Sequence, residues 1–297
     1  MTTHVDSAAV ADVTLRAGEQ EATVSPRGAA LCAWSVGGDE KLAWTPPGHP
    51  DHLFDGATLV PWPNRIRDGR YTHEGRRRQL ELTEPERSTA LHGLATAVDW
   101  DTELRTADVA RFGHTLGPRP GYPYEVRVQV SYVLTPGGLS VELHAVNHGE
   151  ERAPFGAGAH PYIRTAGVDR TTLQIPAATV VPVGRRLLPT GPPSSVEGTP
   201  MDFRQRRPVD GTALDTTFGG LGRSAGTAYV RIWPSESAAA ITLWCDGGYQ
   251  FVHVFSGAPG RLAIEPMTCA PDAFNTGLGL LSLGPGQGVH ARWGLAC

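Results

Sequence analysis

The chain has 297 residues, 40% of them hydrophobic, and a formal net charge of −4 at pH 7. Such a length suits one large β domain or two ordinary ones, and a mild charge without a basic stripe argues against nucleic acid as a partner. The 36 glycines and 25 prolines form no low-complexity tract, so many tight turns between strands are expected.

The N-terminal stretch MTTHVDSAAVADVTLRAGEQ has no basic segment followed by an apolar one, which argues against a secretory signal. No stretch approaches the ~18 apolar residues of a membrane span, so a cytoplasmic protein without a membrane partner is expected. AALCAWSVGGDEKLAW predicts a hairpin turning at Gly37-Gly38-Asp39. In LVPWPNRIRDGRY (59–71) two prolines bracket Trp62 ahead of Asn64 and Arg65. This is a turn entering a strand, with Arg65 either solvated or turned toward a ligand. LHGL (91–94) sets His92 before a glycine, which permits positive φ or a close approach by another group; His92 is either structural or ligand-facing.

EVRVQVSYVL alternates Val126, Val128, Val130 and Tyr132 with polar residues, and after TPGG the run LSVELHAVN does the same with Leu139, Val141, Leu143 and Ala145. Two alternating runs across a Gly-rich turn predict a hairpin. In GAGAHPYIR (156–164), Gly156, Gly158 and His160 fall on one face of an extended segment. The imidazole shares that face with residues lacking side chains, which suggests room beside it for a ligand.

The longest irregular region spans roughly 184–228, and long loops on an all-β scaffold commonly carry binding residues. Its basic clusters RRLL (185–188) and RQRR (204–207) read as solvated surface, and Asp215 sits in the Gly/Thr-rich stretch GTALDTTFGGLG (211–222) as a turn residue or a ligand group. Further strands are expected at 239–246, 249–257, 261–266 and 288–295. Trp244 reads as core, whereas Tyr162 could fill the core or stack on a ligand. In RLAIEPMTCAPDAFN, Leu262 and Ile264 face one way and Ala263 and Glu265 the other. Glu265 is either a rim carboxylate in water or a buried one, and burial would raise its pKa toward the range of a base working near neutrality. Cys32, Cys245, Cys269 and Cys297 are widely spaced without a CxxC pair, which argues against a disulfide framework and a structural zinc site. No helical periodicity persists for ~12 residues, and no repeat or linker divides the chain. The expectation is an all-β protein: one large, mostly antiparallel β-sandwich forming a single domain over 1–297.

The ordered set NRIRDGRY, LHGL, GAHPYI, ALDTTF and IEPMTCAPDAFN resembles the aldose 1-epimerase (galactose mutarotase) family, from about residue 25 to the C-terminus. The resemblance implies a β-supersandwich with an open sugar-binding cleft, a small-molecule sugar as partner, no metal or organic cofactor, and a monomer or homodimer. It also implies roles. The counterpart of Glu265 takes the proton from the C1 hydroxyl, and that of His160 gives one to the ring oxygen. The ring opens to an aldehyde, C1–C2 rotates, and closure yields the other anomer. Arg65, His92 and Asp215 match residues that bind and orient the ring oxygen and hydroxyls. Two departures bear on substrate choice. Galactose mutarotases usually read GHPYF where this chain reads AHPYI, and the Arg-Trp pair that follows HGL in one subgroup is replaced here by Ala95-Thr96. An anionic-sugar mutarotase would draw its cations from the arginines around 185–207. A carbohydrate-binding protein could share the scaffold. A metal hydrolase could use His92 and His160, but HxH and HExxH spacings are missing, and a serine hydrolase lacks its GxSxG.

Overall fold

A computed structural model describes residues 11–210 and 213–297. Residues 1–10 of the stretch read for a signal, and Gly211 and Thr212 of the Gly/Thr-rich stretch, lie outside the described residues. Apart from short helical turns such as Ala273–Thr276, the secondary structure is antiparallel strands. Among the described residues, no helix is long and apolar enough to cross a membrane.

Two large sheets face each other. The nine-stranded sheet is built on the expected hairpin, Val126–Thr135 against Gly138–Asn147, in a register that sets Val130 opposite Leu143 and Tyr132 opposite Val141. Period-2 alternation makes this happen: every second residue of Val126–Thr135 is buried. Gly138 closes the turn at φ +133°, where a Cβ would meet the Leu295 carbonyl oxygen at 2.3 Å. The eight-stranded sheet carries Asp215–Leu221, Phe251–Phe255 and Arg261–Met267 side by side at its centre, with Gly158–Ala159 and Tyr162–Arg164 both pairing with the last of these. A smaller N-terminal sheet holds the hairpin expected at Gly37-Gly38, between Ala30–Val36 and the short Asp39–Glu40.

One hydrophobic cluster draws on both large sheets: Val252, Val254, Leu262 and Ile264 from the eight-stranded one, and Val130, Leu143 and Leu243 from the nine-stranded one. Their alternation partners His253, Phe255, Ala263 and Glu265 therefore point to the opposite face of the eight-stranded sheet. That face is covered too, because all seven residues of Arg261–Met267 are buried.

Two expectations need correction. Asp215 does not sit in a loop; it opens the strand Asp215–Leu221, because Phe218 packs into the main core and draws the TTF segment into the sheet. Trp244 is only half-buried, since its neighbours Leu243 and Cys245 take the inward positions of their strand. Trp62 and Phe274, by contrast, belong to the core and meet edge to face at 5.7 Å.

Ile264 has no exposed surface and lies on the core side of the strand that carries Glu265. Ile264→Ala is expected to cost about 2–5 kcal/mol of stability, read as a lower urea midpoint with an unchanged slope.

Candidate active site

The register of the eight-stranded sheet assembles the site. Thr217 pairs with His253, and His253 pairs with Glu265 on the other side; Asp215 lies opposite Phe255. His160 enters from the segment after Gly158–Ala159: its N–H donates to the Ala57 carbonyl at 3.1 Å and its carbonyl accepts the Gly56 N–H at 2.9 Å. Arg65 is placed by a long-range clasp with Asp272 of the IEPMTCAPDAFN motif. The Asp272 N–H donates to the Arg65 carbonyl at 2.7 Å, and the Arg67 N–H donates to Asp272 Oδ1 at 2.9 Å.

The glycines before His160 do not leave space for a ligand. A Cβ on Gly156 would lie 2.4 Å from Cys269 Sγ, and one on Gly158 would lie 2.9 Å from Pro63 Cβ. They admit the Pro63 turn and Cys269 of the segment after Arg261–Met267, so their role is close packing behind the site. Gly93 does what LHGL suggested, at φ +80° with Val60 O 2.1 Å from where a Cβ would stand.

Arg65, His92, His160, Asp215 and Glu265 all line one cleft of about 370 Å³. His160 Nε2 lies 3.3 Å from Glu265 Oε1, with both side chains almost fully buried. The other two polar atoms of the pair, His160 Nδ1 and Glu265 Oε2, are buried without a hydrogen-bond partner among the described residues. Burial raises Glu265 to about 7 and lowers His160 to about 3, each toward its neutral form. Contact between the two favours their charged forms and so restrains both shifts.

Around this pair the charges are already matched. Arg65 donates twice to Glu84, Nε to Oε2 at 2.8 Å and Nη2 to Oε1 at 3.0 Å, while its Nη1 stands 3.9 Å from Asp215 Oδ1. Burial pushes Glu84 upward, but the bonds from Arg65 and Thr89 outweigh it and hold the carboxyl below its ordinary value. Asp215 behaves alike: burial opposes ionisation, and the hydrogen bond from His253 prevails.

His92 Nδ1 accepts the Asn64 N–H at 3.1 Å, and burial keeps the ring neutral by lowering its pKa well below the usual value. The neutral ring's proton is therefore on Nε2, a donor. Ligand atoms of His92, His160 and Glu265 lie within 4.8 Å of one another, a spacing that could suit one metal ion. The Asn64 N–H argues against that use: metal-bound imidazoles ordinarily donate through their second nitrogen, whereas this one accepts.

Phe54, Glu84 and His253, to which the sequence assigned no role, also line the cleft, as does Tyr162, which it left between core and ligand. Phe54, at φ +60°, sets its ring 4.7 Å from that of His92. The next residue, Asp55, fixes this loop by pairing with Arg261 and accepting the Thr45 and Leu53 N–H groups at 2.9 and 2.8 Å. An aromatic from a distant loop was invisible to motif spacing. The arginines around 185–207 do not line the cleft. Arg186 is partly exposed but anchored, since it bonds Asp68 at 2.6 Å and the Arg87 and Ser88 carbonyls at 2.8 Å each.

The family model for aldose 1-epimerase matches residues 11–294. The chain belongs to the aldose 1-epimerase family. It is thereby an isomerase of the mutarotase type. The uncharacterized protein YihR of Escherichia coli K12 is 34% identical over 282 residues, covering 93% of this chain and 89% of YihR. Mouse galactose mutarotase is 33% identical over 170 residues, covering 54% of this chain and 48% of that protein. Among solved structures, the GalM/aldose epimerase homologue from C. elegans superposes with a TM-score of 0.84 at 21% identity, over 96% of this chain and 98% of that one. It shares the fold.

Glu265 is held in its neutral form above the ordinary 4.5. The folded state therefore retains a proton that the unfolded chain releases, and the stability this gives is complete below about 4.5 and lost as pH rises through about 7. Glu265→Gln removes that dependence. At pH 8 the variant is expected to be more stable than the wild type by on the order of 3 kcal/mol, with the advantage shrinking toward pH 5, as read from paired thermal melts.

Proposed function

We propose that the protein is an aldose 1-epimerase that interconverts the α and β anomers of a free aldose by acid–base-catalysed ring opening and closure. The observation that carries this reading is the 3.3 Å contact between Glu265 and His160. The C1 hydroxyl oxygen and the ring oxygen are both bonded to C1. A base acting on one and an acid acting on the other must converge on a single carbon, and a carboxyl and an imidazole in contact do so.

The proton inventory follows. Opening begins from the tautomer of the one-proton pair in which the proton has moved from Glu265 to His160, leaving Glu265 ionised. Glu265 takes the proton from the C1 hydroxyl while His160 gives one to the ring oxygen, and the bond between C1 and that oxygen breaks. The open aldehyde leaves Glu265 protonated and His160 neutral. After rotation about C1–C2, closure returns both protons. The pair holds one proton throughout. Neither Glu265 Oε2 nor His160 Nδ1 has a competing hydrogen-bond partner among the described residues. His92 offers its Nε2–H and Arg65 its Nη1 as fixed donors to sugar oxygens, and Asp215 is an acceptor for a hydroxyl. None of the three has to reorganise, since each is already held by the protein.

Anomer exchange followed by NMR saturation transfer tests this, with glucose, galactose, other aldoses and a hexose 6-phosphate as substrates. Glu265→Gln and His160→Asn, each verified as folded by circular dichroism, are expected to lose about 10²–10⁴-fold in rate. Wild-type exchange rates in folded variants would reject the assignment.

The pH profile is a separate expectation. The one-proton pair is the form that can begin the cycle, and the pair loses its proton above about 7. The kcat/KM, corrected for spontaneous exchange, should fall on the alkaline side of a pKa at or somewhat above that value. A rate that climbs through 7 and stays high would mean that ionised Glu265 works with a neutral His160.

A further inference from the structure

His253 takes no part in the proton transfers proposed above, yet it is buried at the centre of the site with both ring nitrogens engaged. Nδ1 lies 2.8 Å from Thr217 Oγ1, and Nε2 lies 3.1 Å from Asp215 Oδ1. We propose that His253, braced by Thr217, is a positioning residue for the reaction: it holds the Asp215 carboxylate so that Oδ2 is presented to a sugar hydroxyl. The inference rests on the mutarotase reading of the same cleft.

The argument is one of elimination. Asp215 opens its strand, and its cross-strand neighbour is Phe255, whose ring donates no hydrogen bond. Arg65 approaches Oδ1 only to 3.9 Å, because two of its nitrogens are committed to Glu84. Among the described residues His253 is thus the one donor close to the carboxylate, and no protein group bonds Oδ2. The ring itself cannot drift. Thr217 and His253 are directly paired, and Thr217 is 1% exposed, so its hydroxyl is a fixed brace behind the imidazole. In the neutral ring, Nε2–H faces Asp215 and Nδ1 accepts from the threonine hydroxyl. With both nitrogens occupied, His253 has none to offer the sugar and acts through Asp215.

The test compares His253→Phe, His253→Gln and Asp215→Asn with the wild type in the exchange assay. A hydrogen bond to a charged group is worth about 1.5–3 kcal/mol, so His253→Phe should raise KM about ten- to hundredfold, with a smaller change in kcat. Glutamine can donate to Asp215 and accept from Thr217, and His253→Gln should recover most of the lost affinity. If His253 acts through Asp215, His253→Phe combined with Asp215→Asn should cost little more than Asp215→Asn alone. Additive losses, or a folded His253→Phe with wild-type KM, would overturn the proposal. A second readout needs no substrate. The Asp215 carboxyl titration, followed by carbon NMR, should move upward in His253→Phe and less so in His253→Gln; an unmoved titration in His253→Phe would also overturn it. If the wild type accelerates exchange of no aldose, the mutarotase reading fails, and this titration still decides whether His253 holds Asp215.

Discussion

Removing one carboxyl group from water sets the chemistry of this cleft. Glu265 stands in the middle of a sheet strand whose two faces are both covered, and desolvation raises its pKa to about 7. A carboxyl at its ordinary pKa would be a weak base at neutral pH and would seldom hold the proton it takes. Buried, it lies near the balance point, where taking and returning a proton cost similar free energy. The same desolvation acts on His160 in the opposite sense. Contact across 3.3 Å ties the two titrations together, so that one proton belongs to the pair.

This balance depends on keeping strong cations off Glu265. The Arg65 guanidinium lines the same cleft but is committed elsewhere, as is that of Arg261 at the start of the Glu265 strand. Arg65 is clamped by Glu84 with two bonds, and Arg261 by Asp55 together with Thr45 Oγ1 at 2.9 Å. A direct salt bridge from Arg65 would pull the Glu265 pKa down and end its use as a base near neutrality. The Arg65–Glu84 pair therefore serves the chemistry while also fixing geometry, and the Arg261–Asp55 pair fixes geometry. The first leaves Nη1 of Arg65 for the cleft, and the second fixes the loop that brings Phe54 against His92. The backbone N–H of Asn64 acts on His92 in the same spirit, setting the tautomer so that a donor faces the cavity.

Much of this was legible in the sequence, for identifiable reasons. Period-2 alternation in Val126–Asn147 found the longest hairpin because one face of that sheet is buried and the other is not. The motif order found five cleft residues: four sit at strand ends or in the turns beside them, and the fifth, Glu265, stands inside its strand. Alternation also separated Ile264 from Glu265, but it could not show that both faces of that strand are covered, since Ala263 and Glu265 meet their neighbours Tyr162 and His253 only through cross-strand register. The glycines before His160 misled for a related reason: the space a missing side chain leaves can be filled by a distant segment, here Pro63 and Cys269. Asp215 reads as a loop residue because the three glycines of TTFGGLG signal a turn, and only the packing of Phe218 reveals its place in the sheet. Glu84, His253 and Phe54 act through partners far along the chain, which motif reading does not reach.

The protonation of Glu265 can be observed directly by infrared spectroscopy as the carbonyl stretch of a protonated carboxylic acid, assigned by its absence in Glu265→Gln. The account predicts a band that persists through weakly acidic pH and disappears with a midpoint near 7. A band that titrates near the ordinary 4.5 would mean that Glu265 is solvated and ionised at neutral pH, and the burial-tuned pair would have to be abandoned.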